Sequence, residues 1–105
     1  MKDGLIEEFW ENGQLRYKHN YKDRKKDGLW EEYHDNGQLW STGNYKDGER
    51  EGLWESYHDN GQLCVKGNCK DGQEDGLWEY FDEEGNLIET QEWKDGKRIK
   101  KRELK

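Results

Sequence analysis

Apolar and aromatic residues return along this chain at a fixed interval of 24 residues. The stretch GLWEEYHDNGQLW at 28–40 recurs almost unchanged as GLWESYHDNGQLC at 52–64. A constant period of this length predicts an array of identical supersecondary units, each packed mainly against its neighbours. The blocks follow one another without insertion, at 4–27, 28–51, 52–75 and 76–99.

Each block has the pattern of a β-hairpin. In block two, the aromatic run 29–34 is followed by an Asp-Asn-Gly turn, a second run at 38–45 and an Asp-Gly turn. These turn residues are strong hairpin signals because they tolerate the positive φ of tight turns. Block one has Arg24 in place of the second turn's glycine, which is expected to weaken that turn. With no proline and no helical periodicity, the sequence predicts an all-β fold of eight or nine antiparallel strands in sequential order.

The length of the Asn-Gly loop decides which side chains share a face of the sheet. A two-residue turn would pair Tyr33 with Trp40, whereas a three-residue loop with glycine in a bulge would pair Tyr33 with Leu39. We favour the bulge. The hydrophobic face that it predicts consists of Leu29, Tyr33, Leu39 and Tyr45, with their repeats.

The other face would then carry one tryptophan from each of three blocks. In this register Gly43 lies opposite Leu29, and the row on the other face is Trp30, Trp54 and Trp78. Two interpretations of the row are open. It forms an exposed strip that anchors a partner, or it is structural, since large exposed apolar patches are uncommon on monomers. In the structural case the tryptophans simply cover the sheet, or the sheet curls so that they become its core.

Composition alone would suggest disorder, because 41% of the residues are charged, 29% are hydrophobic and the net charge is -7. The chain nevertheless contains 6 Trp, 6 Tyr and 2 Phe residues, most of them at repeat positions. Side chains of this kind stabilise a fold by covering a large area each. A chain of 105 residues is expected to form one domain, 1–105, with a thin core.

The repeat pattern also carries a resemblance to a known family. Gly-Leu-Trp, a following Tyr, Asn-Gly-Gln-Leu and then Gly-Asn-Tyr-Lys-Asp-Gly are similar to the variant MORN (membrane occupation and recognition nexus) repeat of bacterial proteins in the YwqK antitoxin-like family. The resemblance covers residues 4 to about 99, with departures in blocks one and four. It implies an elongated, single-layer, twisted antiparallel sheet, and a protein that binds and neutralises a toxin in a bacterial cytoplasm.

Charge is distributed unevenly along the chain. Residues 94–105 contain seven basic and two acidic residues, a net charge of +5, whereas residues 1–93 contain 11 basic and 23 acidic residues, a net charge of -12. The basic segment is either a tail that meets nucleic acid or an anionic membrane, or a final strand whose lysines protect the sheet edge. We favour a capping strand within 97–105 and expect no nucleic acid. Docking on a membrane is the weaker alternative.

The sequence offers no constellation that favours catalysis. The glutamates at one repeat position are near-equivalent, whereas acid–base catalysis needs groups in different environments; they are Glu7, Glu31, Glu55 and Glu79. His34 and His58 would lie two strands apart, about 10 Å, too far for one zinc ion. Every glycine follows the logic of a turn or of the repeat, and none forms a phosphate-binding loop. We therefore expect no enzymatic activity, no metal and no cofactor.

The cysteines indicate a reducing environment. Cys64 and Cys69 fall on one predicted strand about 16 Å apart, beyond the reach of a disulfide. They stand where block two has Trp40 and Tyr45, so we interpret them as small apolar residues in the packing. With no signal peptide at the N-terminus, the expected location is the cytoplasm.

The remaining class of function is recognition, because an array of repeats extends one regular surface. We expect a non-catalytic protein-binding module of antitoxin or immunity type, with an acidic surface that attracts a basic partner. The alternative is a structural adaptor that self-assembles into homo-oligomers through its edges or its aromatic face. The candidate partner-binding residues are Trp30, Trp54, Trp78, Trp40, Glu31, Glu55 and Glu79.

Overall fold

The hairpins predicted from the repeat are present in the computed structural model, which describes residues 3–104. These residues form one open sheet of nine antiparallel strands in sequential order, as predicted. The radius of gyration is 15.2 Å, compared with about 12.9 Å for a compact domain of this length, so the sheet is thin and elongated. The strands are β1 (Gly4–Phe9), β2 (Leu15–Lys22), β3 (Lys25–Tyr33), β4 (Leu39–Lys46), β5 (Glu49–Tyr57), β6 (Leu63–Lys70), β7 (Gln73–Phe81), β8 (Leu87–Lys94) and β9 (Lys97–Glu103).

The Asn-Gly loops contain three residues, as the favoured register required. In block two the His34 amide donates to the Gln38 carbonyl at 2.9 Å, and the Gly37 amide donates to the His34 carbonyl at 3.0 Å. Gly37 has φ +90°, a conformation that L side chains rarely adopt. Tyr33 therefore pairs with Leu39, and the prediction of a bulged loop is confirmed.

A second bulge, one residue further along, changes the faces. Glu32 pairs with Ser41 while Tyr33 pairs with Leu39, so Trp40 is an extra residue on β4. Beyond it, the side chains of β4 point to the faces opposite to those predicted. Trp30 lies opposite Gly43, and the predictions that Gly43 lies opposite Leu29 and that Tyr45 shares the face of Leu29 are wrong.

The Asp-Gly connections are two-residue turns. Asp47 and Gly48 both have positive φ, +50° and +85°, which matches the twist of the flanking strands. Block one forms the same turn although Arg24 replaces the glycine and is held at φ +68°. The turn is thus retained at a position where a non-glycine residue is strained.

A wider irregularity joins each repeat to the next. Thr42 pairs with Glu55 and Asn44 with Glu51, so β5 contains two more residues than β4 over this interval. Gly52, within the extra segment, has φ +82°. Bulges bend a strand and increase its twist, and this one brings the Trp54 side chain over Gly43 on the neighbouring strand.

One face of the sheet is the inner, better-packed face, and we call it the tryptophan face because it carries Trp30, Trp54 and Trp78. Trp78 is 7% exposed and Cys69 is fully buried, while Gly43 and Gly67 lie beneath tryptophan rings. Trp30 and Trp54 are partly buried, so the tryptophan row takes part in the packing of this face. The opposite face is the leucine face, defined by Leu5, Leu29, Leu53 and Leu77.

Candidate functional site

The leucine face carries a row of apolar side chains that the sheet leaves in solvent. Leu29 pairs with Asn44 and Leu53 with Asn68, so leucines alternate with polar residues across the strands. None of these leucines packs into a second layer, because the described residues form a single sheet. The leucines are about half exposed: Leu5 53%, Leu29 47%, Leu53 56% and Leu77 52%.

Beside the leucines runs a charged row, which we call the glutamate row. Lys18 and Glu31 approach to 3.7 Å within it, and Lys66 pairs with both Glu55 and Glu79 in the strand register. Adjacent residues of the row are cross-strand neighbours over the whole sheet. From β1 to β9 the row is Glu7, Lys18, Glu31, Thr42, Glu55, Lys66, Glu79, Thr90 and Arg102.

A third row on this face, nearer the Asn-Gly loops, is partly buried. Tyr57 pairs with Leu63, and its hydroxyl donates to Glu55 at 3.3 Å. Burial raises the pKa of Tyr57, and the Glu55 carboxylate raises it further; the same holds for Tyr33 beside Glu31. The phenols therefore stay protonated and hold glutamates of the glutamate row in place.

The structure separates the predicted site residues onto two faces. Glu31, Glu55 and Glu79 are on the leucine face, whereas the tryptophans that they were expected to flank are on the tryptophan face. Trp40 occupies the bulge of β4, is 41% exposed and stacks on His34 with a centroid distance of 5.0 Å. The expected combination of tryptophan anchors with neighbouring glutamates is therefore not present on one surface.

On the tryptophan face, the aromatic rings are occupied by neighbours from the same chain. The Lys26 ammonium lies 4.6 Å from the Trp30 ring centroid and 5.0 Å from that of Tyr45. The Trp78 indole N–H donates to the Asn68 carbonyl at 3.0 Å. These contacts stabilise the fold and leave less aromatic surface for a partner.

The Asn-Gly loops line up at one end of the molecule and are linked to one another. The Asn36 side chain donates to the Asp59 carbonyl at 2.8 Å, and His34 Nε2 lies 3.0 Å from the Tyr57 carbonyl. Since a carbonyl oxygen can only accept, His34 Nε2 carries the proton. The loops at this end are also acidic, with Glu11, Asp35, Asp59, Asp82, Glu83 and Glu84.

Sequence reasoning missed the leucine row as a candidate surface. The signal was available, because leucine follows the first glycine of every block. The register of the three-residue loop alone places these leucines on the predicted hydrophobic face, together with Tyr33, Leu39 and Tyr45. The bulge at Trp40, which has no sequence signature, moved the packed face to the other side.

Among residues 3–104 no cluster of three or more His, Cys, Asp or Glu side chains is placed to hold a metal ion. Both cysteines are free, and burial raises the pKa of each thiol. Within the same range there is no helix of a length and hydrophobicity that would span a membrane.

Comparison with known protein families matches the repeat itself. Four copies of the MORN repeat variant are found at residues 2–23, 26–47, 50–71 and 74–95, in step with the 24-residue period and with successive hairpins. No curated protein matches the chain. MORN repeats are in general protein- or membrane-binding modules. Since the four copies together span most of the sequence, the chain belongs to the MORN repeat variant family.

Proposed function

We propose that this chain is a protein-binding module of antitoxin or immunity type, which binds a basic protein on its leucine face and keeps that protein inactive. One observation carries the proposal. Leucines that recur every 24 residues are about half exposed on one face, next to a charged row in which glutamates alternate with lysine, arginine or threonine. Apolar side chains at regular positions, rimmed by charged groups, are typical of a protein-interaction surface.

The leucines supply the apolar part of this surface. Each loses its remaining contact with water when a partner covers it, and the transfer stabilises the complex by about 25 cal/mol per Å² of apolar area. Because the leucines are anchored on strands of one continuous sheet, little conformational entropy of the backbone is lost on binding. The surface is in this sense preorganised.

The net negative charge of the repeats gives the surface its preference for a basic partner. Residues 1–93 carry a net charge of -12, and Glu31, Glu55 and Glu79 lie beside the leucines. An acidic field of this kind accelerates association with a basic protein and disfavours an acidic one. The same field opposes an anionic membrane surface, so we propose a protein partner and a cytoplasmic setting.

Inhibition by occupation explains why such a protein needs no catalytic group. A rigid sheet that covers the working surface of a basic toxin blocks it for as long as the complex lasts. The resemblance to the YwqK antitoxin-like family supports this role, and the packed state of Trp30, Trp54 and Trp78 favours the leucine face over the tryptophan face as the binding surface.

The test compares two pairs of exposed apolar residues. Leu53→Ser with Leu77→Ser removes half of the leucine row, and Ile99→Ser with Leu104→Ser removes exposed apolar residues outside it, 62% and 43% exposed. We expect both variants to fold, because exposed substitutions change stability little. The first should lose affinity at least tenfold for the protein that the wild type captures from its source lysate, which is about 1.4 kcal/mol. The second should retain it.

Equal affinity of the two variants would contradict the leucine face as the binding surface. The antitoxin role is tested separately, by expressing the captured partner alone and with this chain. We expect growth inhibition by the partner alone and recovery on co-expression. A partner that does not affect growth would contradict the antitoxin role, while leaving the binding surface supported.

A further inference from the structure

We propose that copies of this chain join end to end through the two open edges of the sheet, with β9 of one copy pairing with β1 of the next. The occupant of each edge is therefore a second copy of this chain. The inference is independent of the proposed function, because it concerns edge strands and not the leucine face.

The β9 edge is basic and exposed. All seven residues of β9, Lys97–Glu103, are exposed, and they comprise five Lys or Arg residues and one Glu. Its inner side pairs with β8, while its outer side has no strand beside it in the described sheet. An unpaired strand edge presents amide and carbonyl groups that can bind another strand.

The β1 edge is acidic. The strand Gly4–Phe9 contains Glu7 and Glu8, with Asp3 before it and Glu11 after it, and no Lys or Arg occurs in residues 3–11. Five of the six residues of β1 are exposed. The molecule thus has one basic and one acidic edge, at opposite ends of the strand order.

These charges decide which edges can pair. Two β9 edges brought together would place lysines and arginines against one another, and two β1 edges would do the same with glutamates. Like charges directly opposite each other destabilise a strand pair, whereas opposite charges stabilise it. The symmetric dimers are therefore disfavoured, and the β9–β1 contact remains.

One antiparallel register satisfies both charge and geometry. It pairs Lys101 with Glu7 of the next copy and Lys100 with Glu8. Lys101 is on the tryptophan face, because it lies opposite Gln91, while Glu7 is on the leucine face. The pairs can form when the next copy is rotated by half a turn about the axis along which copies are added. This rotation exchanges the two faces of the sheet and also makes the adjoining strands antiparallel.

The same register covers exposed apolar side chains. Ile99 is the extra residue of the β9 bulge and is 62% exposed. It falls opposite Phe9 of the next copy, which is 57% exposed. Apolar contact between these two residues adds a favourable term that does not depend on salt.

The assembly has a defined symmetry. The contact is heterologous, because β9 and β1 are different surfaces, and each copy has one of each. Such contacts generate an open chain unless they close into a ring. Since successive copies are turned over by half a turn, the expected product is a ribbon with a two-fold screw axis.

The first measurement is the mass of the purified protein by light scattering as its concentration is raised. The monomer has a mass of 12.7 kDa. We expect the mass to rise with concentration at an ionic strength of about 0.01 M, where charges act over about 30 Å, and to fall towards the monomer at about 1 M, where they act over about 3 Å. A mass of 12.7 kDa at every concentration in low salt would overturn the proposal.

Charge reversal gives the sharper test. The variant with Glu7→Lys and Glu8→Lys has basic side chains at the contact positions of both edges, and the variant with Lys100→Glu and Lys101→Glu has acidic side chains at the contact positions of both edges. We expect each variant alone to be monomeric and an equal mixture of the two to associate again. The control, Glu83→Lys with Glu84→Lys, makes the same change in net charge in an exposed loop away from both edges and should still self-associate.

Two results would contradict the edge contact. Association that persists in the variant with Glu7→Lys and Glu8→Lys would place the contact on another surface. Failure of the mixture to associate, with both variants folded by circular dichroism, would show that the edges do not recognise each other. If the β9 variant does not fold, the β1 variant mixed with wild type decides. It can add to a wild-type chain through its own β9, but its basic β1 edge accepts no further copy, so the mass of the wild-type assemblies must fall.

Discussion

Glycine has two separate structural roles in each repeat. Gly37 ends the Asn-Gly loop with φ +90°. Its role is to adopt a backbone conformation that is strained for residues with a side chain. Gly43 has no positive φ, and a Cβ atom built on it would overlap the ring of Trp54. Its role is to make room. Substitutions at the two positions therefore destabilise the protein for different reasons.

Replacing Gly43 with alanine is expected to lower the free energy of unfolding by about 1 to 3 kcal/mol, because the added methyl group displaces the Trp54 ring. The measurement is urea unfolding followed by circular dichroism. In a Trp54→Leu background, where the ring is absent, the same substitution should cost much less. An equal cost in both backgrounds would show that the methyl group does not act through Trp54.

His19 occupies in block one the position of Gly43, and it makes stability depend on pH. It is 6% exposed, and the Trp30 ring stacks on it with a centroid distance of 4.8 Å. Burial lowers the pKa of His19 from its usual 6.5, and the Lys26 charge lowers it further. The unfolded chain then binds a proton more readily than the folded one, so stability falls as the pH decreases below about 6.5.

We expect the free energy of unfolding in urea to be lower at pH 5.5 than at pH 7.5, at values on either side of the ordinary histidine pKa of about 6.5. The variant with His19→Gln should lose less stability over this interval, because it lacks the buried imidazole. It retains His34 and His58, so it differs from the wild type only at the buried position. The same loss in wild type and variant would assign the pH dependence to other groups.

At the scale of the strand and its turns, the sequence predicts the hairpins but not the faces of the sheet. The Asn-Gly and Asp-Gly turns could be predicted because their residues accept positive φ, and the pairing of Tyr33 with Leu39 followed from them. The bulge at the Trp40 position could not be predicted, because the four blocks place different residues there: Arg16, Trp40, Cys64 and Ile88. One extra residue in a strand reverses every face beyond it.

Hydrogen bonds from asparagine side chains also link each Asn-Gly loop to the next. Asn36 accepts a hydrogen bond from the Gln38 amide and donates one to the Asp59 carbonyl. Aspartate at this position can accept but cannot donate. Asn36→Asp is therefore expected to lower the free energy of unfolding by about 1 kcal/mol.

Thermal or urea unfolding of Asn36→Asp can be compared with that of Asn20→Asp. Asn20 is exposed on the leucine face, opposite Leu5, and the same chemical change there should alter the stability by less than about 0.5 kcal/mol. Equal effects at the two positions would indicate that the added charge matters and the lost donor does not.

At the scale of the whole molecule, the sheet is a sum of similar units. Strong contacts join each strand to its sequence neighbours only, within the described residues, so every repeat relies on the repeat or repeats beside it. The candidate surface was predicted in part: the glutamates are exposed on a regular face, but their apolar neighbours are leucines. The sequence could not decide this because the face depended on the bulge.

Deleting residues 52–75 is expected to leave a folded protein with one repeat fewer, since Glu51 then precedes Gly76 as it now precedes Gly52. The slope of the unfolding free energy against urea concentration should fall by about one quarter, because this slope is proportional to the surface that unfolding exposes. Deleting 52–63, half a repeat, joins strands of unlike pattern and should abolish cooperative unfolding. Loss of folding in both deletions would contradict independent repeats.

The exposed leucines also fix the kind of surface that can cover them in register. Successive leucines lie two strands apart, about 9.6 Å for a strand spacing near 4.8 Å. On a helix laid along the row, side chains two turns apart are separated by about 10.8 Å. They would therefore shift out of register with the leucines by about 1.2 Å at each successive leucine. A stacked sheet with aligned strands has the same spacing as this one and stays commensurate along the row. The row therefore favours a partner that presents a β-sheet, and each added repeat would lengthen the match by one leucine.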